Sequence, residues 1–123
     1  MIKSFMLVAA GGAFGSGLRY ITSLYMNRWL NQLIPWGTLA ANTIGCLLIG
    51  LLMGFFGKHC TDQNGYKLLL MTGFCGGYTT FSAFALENYN LMQQGQTTTA
   101  LLYTLISVLS GVLMVYLGHA ISK

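Results

Sequence analysis

Between Gly73 and Phe84 the chain reads Gly-Phe-Cys-Gly-Gly-Tyr-Thr-Thr-Phe-Ser-Ala-Phe, and its potential for chemistry concentrates there. Three glycines and two adjacent threonines disfavour regular helix. Yet they stand inside an apolar segment otherwise long enough to cross a membrane. In a bilayer, interrupted helix is tolerated only where it is buried in protein or lines a polar cavity, and the backbone groups it frees can hold ions. Phe81 and Phe84 follow at once, three residues apart and so on one helical face. Two such rings can be plain apolar core. Alternatively, their positive edges can meet an anion, whereas a cation prefers their faces. The carbonyl oxygens of a break suit a cation. One motif can therefore hold a fixed cation and pass an anion along its aromatic flank.

Other polar groups lie in apolar surroundings. Asn42, in Gly37-Thr-Leu-Ala-Ala-Asn-Thr-Ile-Gly45, carries two amide donors and an acceptor that need partners in mid-span. It can tie one helix to another, or aim a donor at a dehydrating anion. Tyr103, Ser107 and Ser110 share one helical face. Hydroxyls of this kind often bond their own backbone, but a buried tyrosine seeks a partner, and with Asn42 these groups can make a chain of donors that replaces water. Arg19 is costly in a membrane unless it snorkels, pairs or meets water. It either reaches toward the first loop or makes an electropositive vestibule that draws anions in. Glu87, the only acidic residue within an apolar stretch, can carry a proton, partner Arg19 or sit exposed at a segment end.

The elements that must position these groups follow from composition. Of 123 residues, 54% are hydrophobic and 7% charged, against roughly 25% charged in a soluble domain. The chain is therefore all-α and membrane-embedded, a single domain spanning residues 1–123. Four apolar stretches, about Phe5–Tyr25, Trp36–Phe56, Leu68–Leu91 and Ala100–Ile121, each approach the ~20 residues that cross the hydrocarbon. The connections, about Met26–Pro35, Gly57–Lys67 and Met92–Thr99, are short. The first stretch is too long and polar for a signal-peptide core. Pro35, the only proline, is placed to start the second helix, and Tyr25, Trp29, Trp36 and Tyr66 fall at span ends as interfacial anchors. Gly11/Gly15, Gly50/Gly54 and Gly73/Gly77 repeat a small-xxx-small spacing that lets helices approach closely. With four spans, Lys3, Lys58, Lys67 and Lys123 share one side against Arg28 on the other, a bias that favours cytoplasmic termini. Cys46, Cys60 and Cys75 have no metal-like spacing, and His59 and His119 are expected to be solvated near segment ends. Four short helices barely surround a path, so oligomerisation is expected.

Three motifs, Gly11-Gly-Ala-Phe-Gly-Ser-Gly-Leu-Arg-Tyr20, Gly37–Gly45 and Gly73–Phe84, in this order and in a chain of this length, resemble the Fluc (CrcB) fluoride channels over essentially the whole sequence. The resemblance implies an antiparallel, dual-topology homodimer in the cell (inner) membrane. Its third helix would be broken near mid-membrane, and two fluoride pathways would run along the subunit interface. It also implies a structural sodium ion held by the main-chain carbonyls of Gly76 and Thr79. The aromatic pair of the pathway corresponds to Phe81 and Phe84, and its asparagine to Asn42. Tyr103 and Ser107 match pore-lining positions, Arg19 a vestibule arginine, and Glu87 an acidic position of unassigned role. The implied function is passive export of cytoplasmic fluoride, and so fluoride resistance, with no enzymatic activity. The chain departs from the family at Ala83, where a threonine is common, so one donor of the polar track is missing and Ser82 or water would substitute.

Three rival readings differ in mechanism. A proton-coupled multidrug exporter is also a four-span dimer, but it needs a membrane carboxylate, and the first segment offers Arg19 instead. A non-transporting assembly subunit would explain the glycines but not the break beside paired rings. A fluoride–proton exchanger would move fluoride uphill.

Overall fold

The computed structural model describes residues 1–59 and 64–123. The expectations for Cys60 and for the side chain of His59 lie outside the described residues. The described chain is all-helical. Helix α1 is Ile2–Trp29 and α2 is Trp36–His59. Helix α3, residues 64–78, joins Asn64–Lys67, a π-helical stretch Leu68–Cys75 and a closing turn Gly76–Tyr78. Helix α4 is Phe81–Gln93 and α5 is Thr97–Ser122. The helices run a few residues beyond the apolar stretches at most ends, because Lys3, Asn27, Arg28, Gln93 and the threonines 97–99 continue the helix past the hydrophobic run.

Among the described residues, three stretches are long and apolar enough to cross a membrane: Trp36–Lys58, Gly65–Gln93 and Thr97–Ser122. Helix α1 matches them in length, but Lys3, Ser16, Arg19, Thr22, Ser23 and Arg28 dilute its apolar character. Large apolar side chains such as Leu101, Leu105, Val108, Val112 and Tyr116 stand exposed along α5, a surface that only lipid or another protein can cover. The chain is a multi-pass membrane protein.

In lipid, helices gain nothing from the hydrophobic effect by touching one another, so close backbone packing must hold them. Glycines provide it on two seams. On the first, α1 lies against α3: a Cβ at Gly11 would run into the Leu69 carbonyl and lie 2.8 Å from Phe74 N. One at Gly15 would strike the Phe74 carbonyl and lie 2.8 Å from Tyr78 N. On the second, α2 lies against α5, where a Cβ at Gly50 would meet the Val115 carbonyl and one at Gly118 the Leu47 carbonyl. The small-xxx-small spacings therefore mark real helix contacts, and Gly118 adds one on α5. His119, near the end of α5, is half-buried: its Nδ1 is shielded with no hydrogen-bond partner among the described residues, while the rest of the side chain is partly open.

Pro35 stands just outside α2, where its carbonyl accepts from Leu39 N at 3.1 Å. Between α4 and α5 the chain turns on Gly95, whose φ of +74° suits glycine. Gln96 N donates to Leu91 O at 2.8 Å and Gly95 N to Met92 O at 3.1 Å, the paired bonds that close a helix C-terminus in the Schellman arrangement. That sharp stop folds α5 back on α4 as a hairpin.

Candidate functional site

Helix α3 ends at Tyr78, and Thr79 (φ −84°, ψ 158°) and Thr80 (φ −151°, ψ 125°) are extended before α4 begins. Thr80 is the N-cap: its Oγ1 accepts from Ala83 N at 3.2 Å, satisfying one of the orphan donors of the new helix. Asn42 of α2 supplies the other half of the arrangement. Its Oδ1 accepts from Thr80 N at 2.7 Å and its Nδ2 donates to Thr80 O at 3.0 Å. Of the two readings of Asn42, the structure shows the helix-to-helix tie. One N–H of its amide group remains beyond that tie.

These two contacts decide where carbonyls are left over. In a continuous α-helix, Gly76 O would accept from Thr80 N, and Thr79 O from Ala83 N. Both N–H groups are taken by side-chain oxygens instead, those of Asn42 and Thr80. The Gly76 and Thr79 carbonyls thus lose their ladder donors. The neighbouring Gly77 carbonyl is drawn to α1, accepting from Ser16 Oγ at 3.3 Å and Arg19 Nε at 3.2 Å. Thr79 Oγ1 turns back to Cys75 O at 2.8 Å.

A groove of about 470 Å³ opens beside the interruption. Asn42, Gly76, Thr79, Phe81, Phe84 and Ser107 all line it, so six of the residues singled out in the sequence converge on one surface. The Phe81 and Phe84 ring centroids are 5.8 Å apart and tilted by 42°. Phe84 is half-buried, whereas Phe81 is 78% exposed. Ser107 Oγ is buried with no well-formed hydrogen bond among the described residues, although the Tyr103 hydroxyl is close enough to interact with it, and a ligand or water in the groove would satisfy it. Ser110 bonds locally to Ser107 O and lies 3.4 Å from Thr43 Oγ1, so its hydroxyl faces α2.

Two candidates border the groove without lining it. Tyr103 is buried, its ring 5.3 Å from that of Phe84, and its hydroxyl donates to Glu87 Oε2 at 2.9 Å. Ser82 is exposed, with Oγ 3.3 Å from Thr80 Oγ1.

Arg19 and Glu87 meet in a second cavity, of about 450 Å³, shared with Ser23, Asn27, Gln32 and Ala83. They are not bonded to each other in the way the sequence allowed. Arg19 Nε is tied to Gly77 O, and the Glu87 oxygens accept from Thr38 Oγ1 at 2.6 Å and from Tyr103. Arg19 thus anchors α1 to α3 while its guanidinium faces a polar cavity at the loop end of the bundle. Ala83 lines this cavity and not the aromatic groove. A hydroxyl at this position would therefore border the Arg19 cavity and not the aromatic groove.

Sequence reasoning missed Thr38, whose hydroxyl fixes Glu87, and the π-helical stretch, which has no signature in an apolar run such as Leu68-Leu-Leu-Met71. Thr80 as an N-cap was within reach, because a threonine before an apolar helical run is a common start signal.

The family model for CrcB-like protein, Camphor Resistance (CrcB), matches residues 6–119. A protein of Flavobacterium psychrophilum named fluoride-specific ion channel FluC is 43% identical over 122 residues, which cover 99% of this chain and 98% of that protein. Its namesake in Azobacteroides pseudotrichonymphae is 40% identical over 123 residues, 100% of this chain and 98% of the relative. Another, from Magnetococcus marinus, is 43% identical over 116 residues, 94% of each chain. With a family match and relatives that each run nearly end to end, this chain belongs to the CrcB-like family.

Proposed function

We propose that this chain is a fluoride-selective passive ion channel that exports cytoplasmic fluoride and so confers resistance to it. The observation that carries the reading is the convergence of Asn42, Phe81, Phe84 and the Ser107 hydroxyl on one groove beside a helix interruption, in a chain whose near full-length relatives are named fluoride-specific ion channels. Fluoride sheds water only where other donors and positive edges replace it. The groove offers ring edges and hydroxyl and amide donors without a fixed cationic side chain to trap the ion. A conducting site must bind well enough to admit an ion and weakly enough to release it. The cavity holding Arg19 lies at the loop end, where a guanidinium raises the local concentration of anions. Export needs no energy source. Hydrogen fluoride enters uncharged and dissociates in a more alkaline cytoplasm, and fluoride leaves down its gradient, aided by an inside-negative potential. The protein is not an enzyme.

The working unit in this reading is an antiparallel, dual-topology homodimer whose third span is broken near mid-membrane at Thr79–Thr80. Two observations support the second copy: the aromatic groove is open on one side, and Phe81 is exposed within an apolar span. The reading also places a sodium ion between the two copies. The Gly76 and Thr79 carbonyls, deprived of their ladder donors, have the hard oxygen chemistry that such an ion takes. When bound, the ion would supply positive charge that ties the two interruptions together. The residues of this chain hold the interruption open: Asn42 occupies Thr80 N–H, and Thr80 caps α4.

The test is efflux from liposomes loaded with fluoride, followed with a fluoride electrode. Fast efflux that requires valinomycin, with little chloride movement, is the expected result. Absence of efflux from a folded, reconstituted protein would reject the channel, and uphill fluoride movement driven by a proton gradient would replace it with an exchanger.

A further inference from the structure

Helices α4 and α5 are joined by two polar rungs of identical sequence separation. Tyr103 donates to Glu87, and the next residue of each helix repeats the pairing: Thr104 Oγ1 donates to Asn88 Oδ1 at 3.0 Å. The rungs lead to different places. The first continues through Glu87 to Thr38 of α2 and the Arg19 cavity. The second continues through Asn88 Nδ2, which donates to Phe84 O at 3.0 Å. Asn88 is buried, 8% exposed, and both ends of its amide are engaged. Its amide thus connects a hydroxyl on α5 to the backbone of the groove phenylalanine on α4.

We infer that Asn88 and Thr104 are a positioning pair that sets the register of α4 on α5 and thereby the place of the Phe84 ring in the groove. Few large groups hold this hairpin otherwise. Its buried apolar cluster is Leu91, Ala100 and Tyr103, with Leu39 and Phe84 packed against it. A slide of α4 along α5 would carry Phe84 off the Tyr103 ring, 5.3 Å away, and change its separation from Phe81. Apolar packing tolerates such a slide. A hydrogen bond between the buried Asn88 and the half-buried Thr104 does not, because an amide left unpaired is costly in an apolar setting. The Tyr103–Glu87 rung fixes the vestibule side, and the Asn88–Thr104 rung fixes the aromatic side.

The consequence for transport rests on the channel reading above, and the test separates the two. Native protein, Asn88→Ala, Thr104→Val and Thr104→Ser are reconstituted at a density of less than one channel per liposome. The fraction of vesicles that empty counts working channels, and the speed at which they empty measures each one. Thr104→Val keeps the shape and removes the donor, and Thr104→Ser keeps the donor. Thr104→Val and Asn88→Ala should slow emptying at least about tenfold, as misplacement of a reacting or binding group does, with the vesicle fraction preserved. Thr104→Ser should stay near native, and the double variant should be no slower than the slower single. Native speed in fewer vesicles would mean a merely structural role and overturn the inference. If the native protein itself passes no fluoride, the channel reading fails. The pair is then judged by the structure of the Thr104→Val protein: a Phe84–Tyr103 separation that departs from 5.3 Å supports it, and an unchanged one overturns it.

Discussion

Asn42→Ala removes the side chain on which the interruption between α3 and α4 depends. The structure gives it two bonds to Thr80, at 2.7 and 3.0 Å. Losing the donation to Thr80 O costs about 1 kcal/mol, because that carbonyl, at an N-cap, still accepts the first bond of α4. Losing the acceptor leaves Thr80 N–H unpaired among apolar groups, which costs about 1–3 kcal/mol. The expected destabilisation is therefore about 2–4 kcal/mol, read from denaturant or thermal unfolding in detergent. The chain has one escape, which is to return Thr80 N–H to Gly76 O. That would recover much of the stability by straightening α3 into α4, and it would close off the freed carbonyls and move Phe81 and Phe84. Fluoride efflux would then collapse even in a stable protein. Asn42→Asp keeps an acceptor for Thr80 N–H but sets a carboxylate oxygen against Thr80 O, and should fall between the two. A loss of less than about 1 kcal/mol in the alanine variant, together with native efflux, would refute the argument that this side chain maintains the interruption.

Phe81→Ile should sharply reduce fluoride efflux while size-exclusion chromatography shows an unchanged assembly; native efflux would remove the Phe81 ring from the pathway. A Cβ at Gly76 meets nothing within 4 Å inside one protomer, so Gly76→Ala should leave the protomer fold intact and weaken the dimer. An unaltered dimer would count against the proposal that Gly76 lies at the subunit interface. Gly15→Val should collapse the yield of folded protein because its Cβ would meet backbone atoms of Phe74 and Tyr78, whereas Gly17→Ala, in open space, should be silent. Replacing sodium by a large organic cation throughout purification should loosen the dimer. Equal dimer stability without sodium would count against a central ion.

What could be read from the sequence divides along physical lines. Periodicity and apolar length fixed the helical stretches to within a few residues at most ends, and the glycine spacings marked both packing seams, because a Cβ at those positions has nowhere to go. Phe81 and Phe84 were legible as a pair from their spacing alone. Hydrogen-bond partners were not: Asn42 to Thr80, Thr38 to Glu87 and Thr104 to Asn88 join residues 38, 49 and 16 positions apart, and only the packing of α2 and α5 on α4 brings them together. From the sequence, a pairing of Arg19 with Glu87 is one of several open alternatives for these two charges. The structure gives each its own partners, Gly77 O for one and two hydroxyls for the other. The π-helical stretch was hidden for a different reason: it lies against Gly11 and Gly15 of α1, and no residue type in that apolar run marks it.

In the proposed channel the groove beside Thr79–Thr80 passes fluoride and rejects other halides. The most direct test is the reversal potential of the current through the purified protein in a planar bilayer, with fluoride on one side and chloride on the other. A current carried by fluoride alone, reversing far toward the fluoride equilibrium potential and abolished by Phe81→Ile, is the expected result. A reversal near zero, or a current that survives that substitution unchanged, would contradict it.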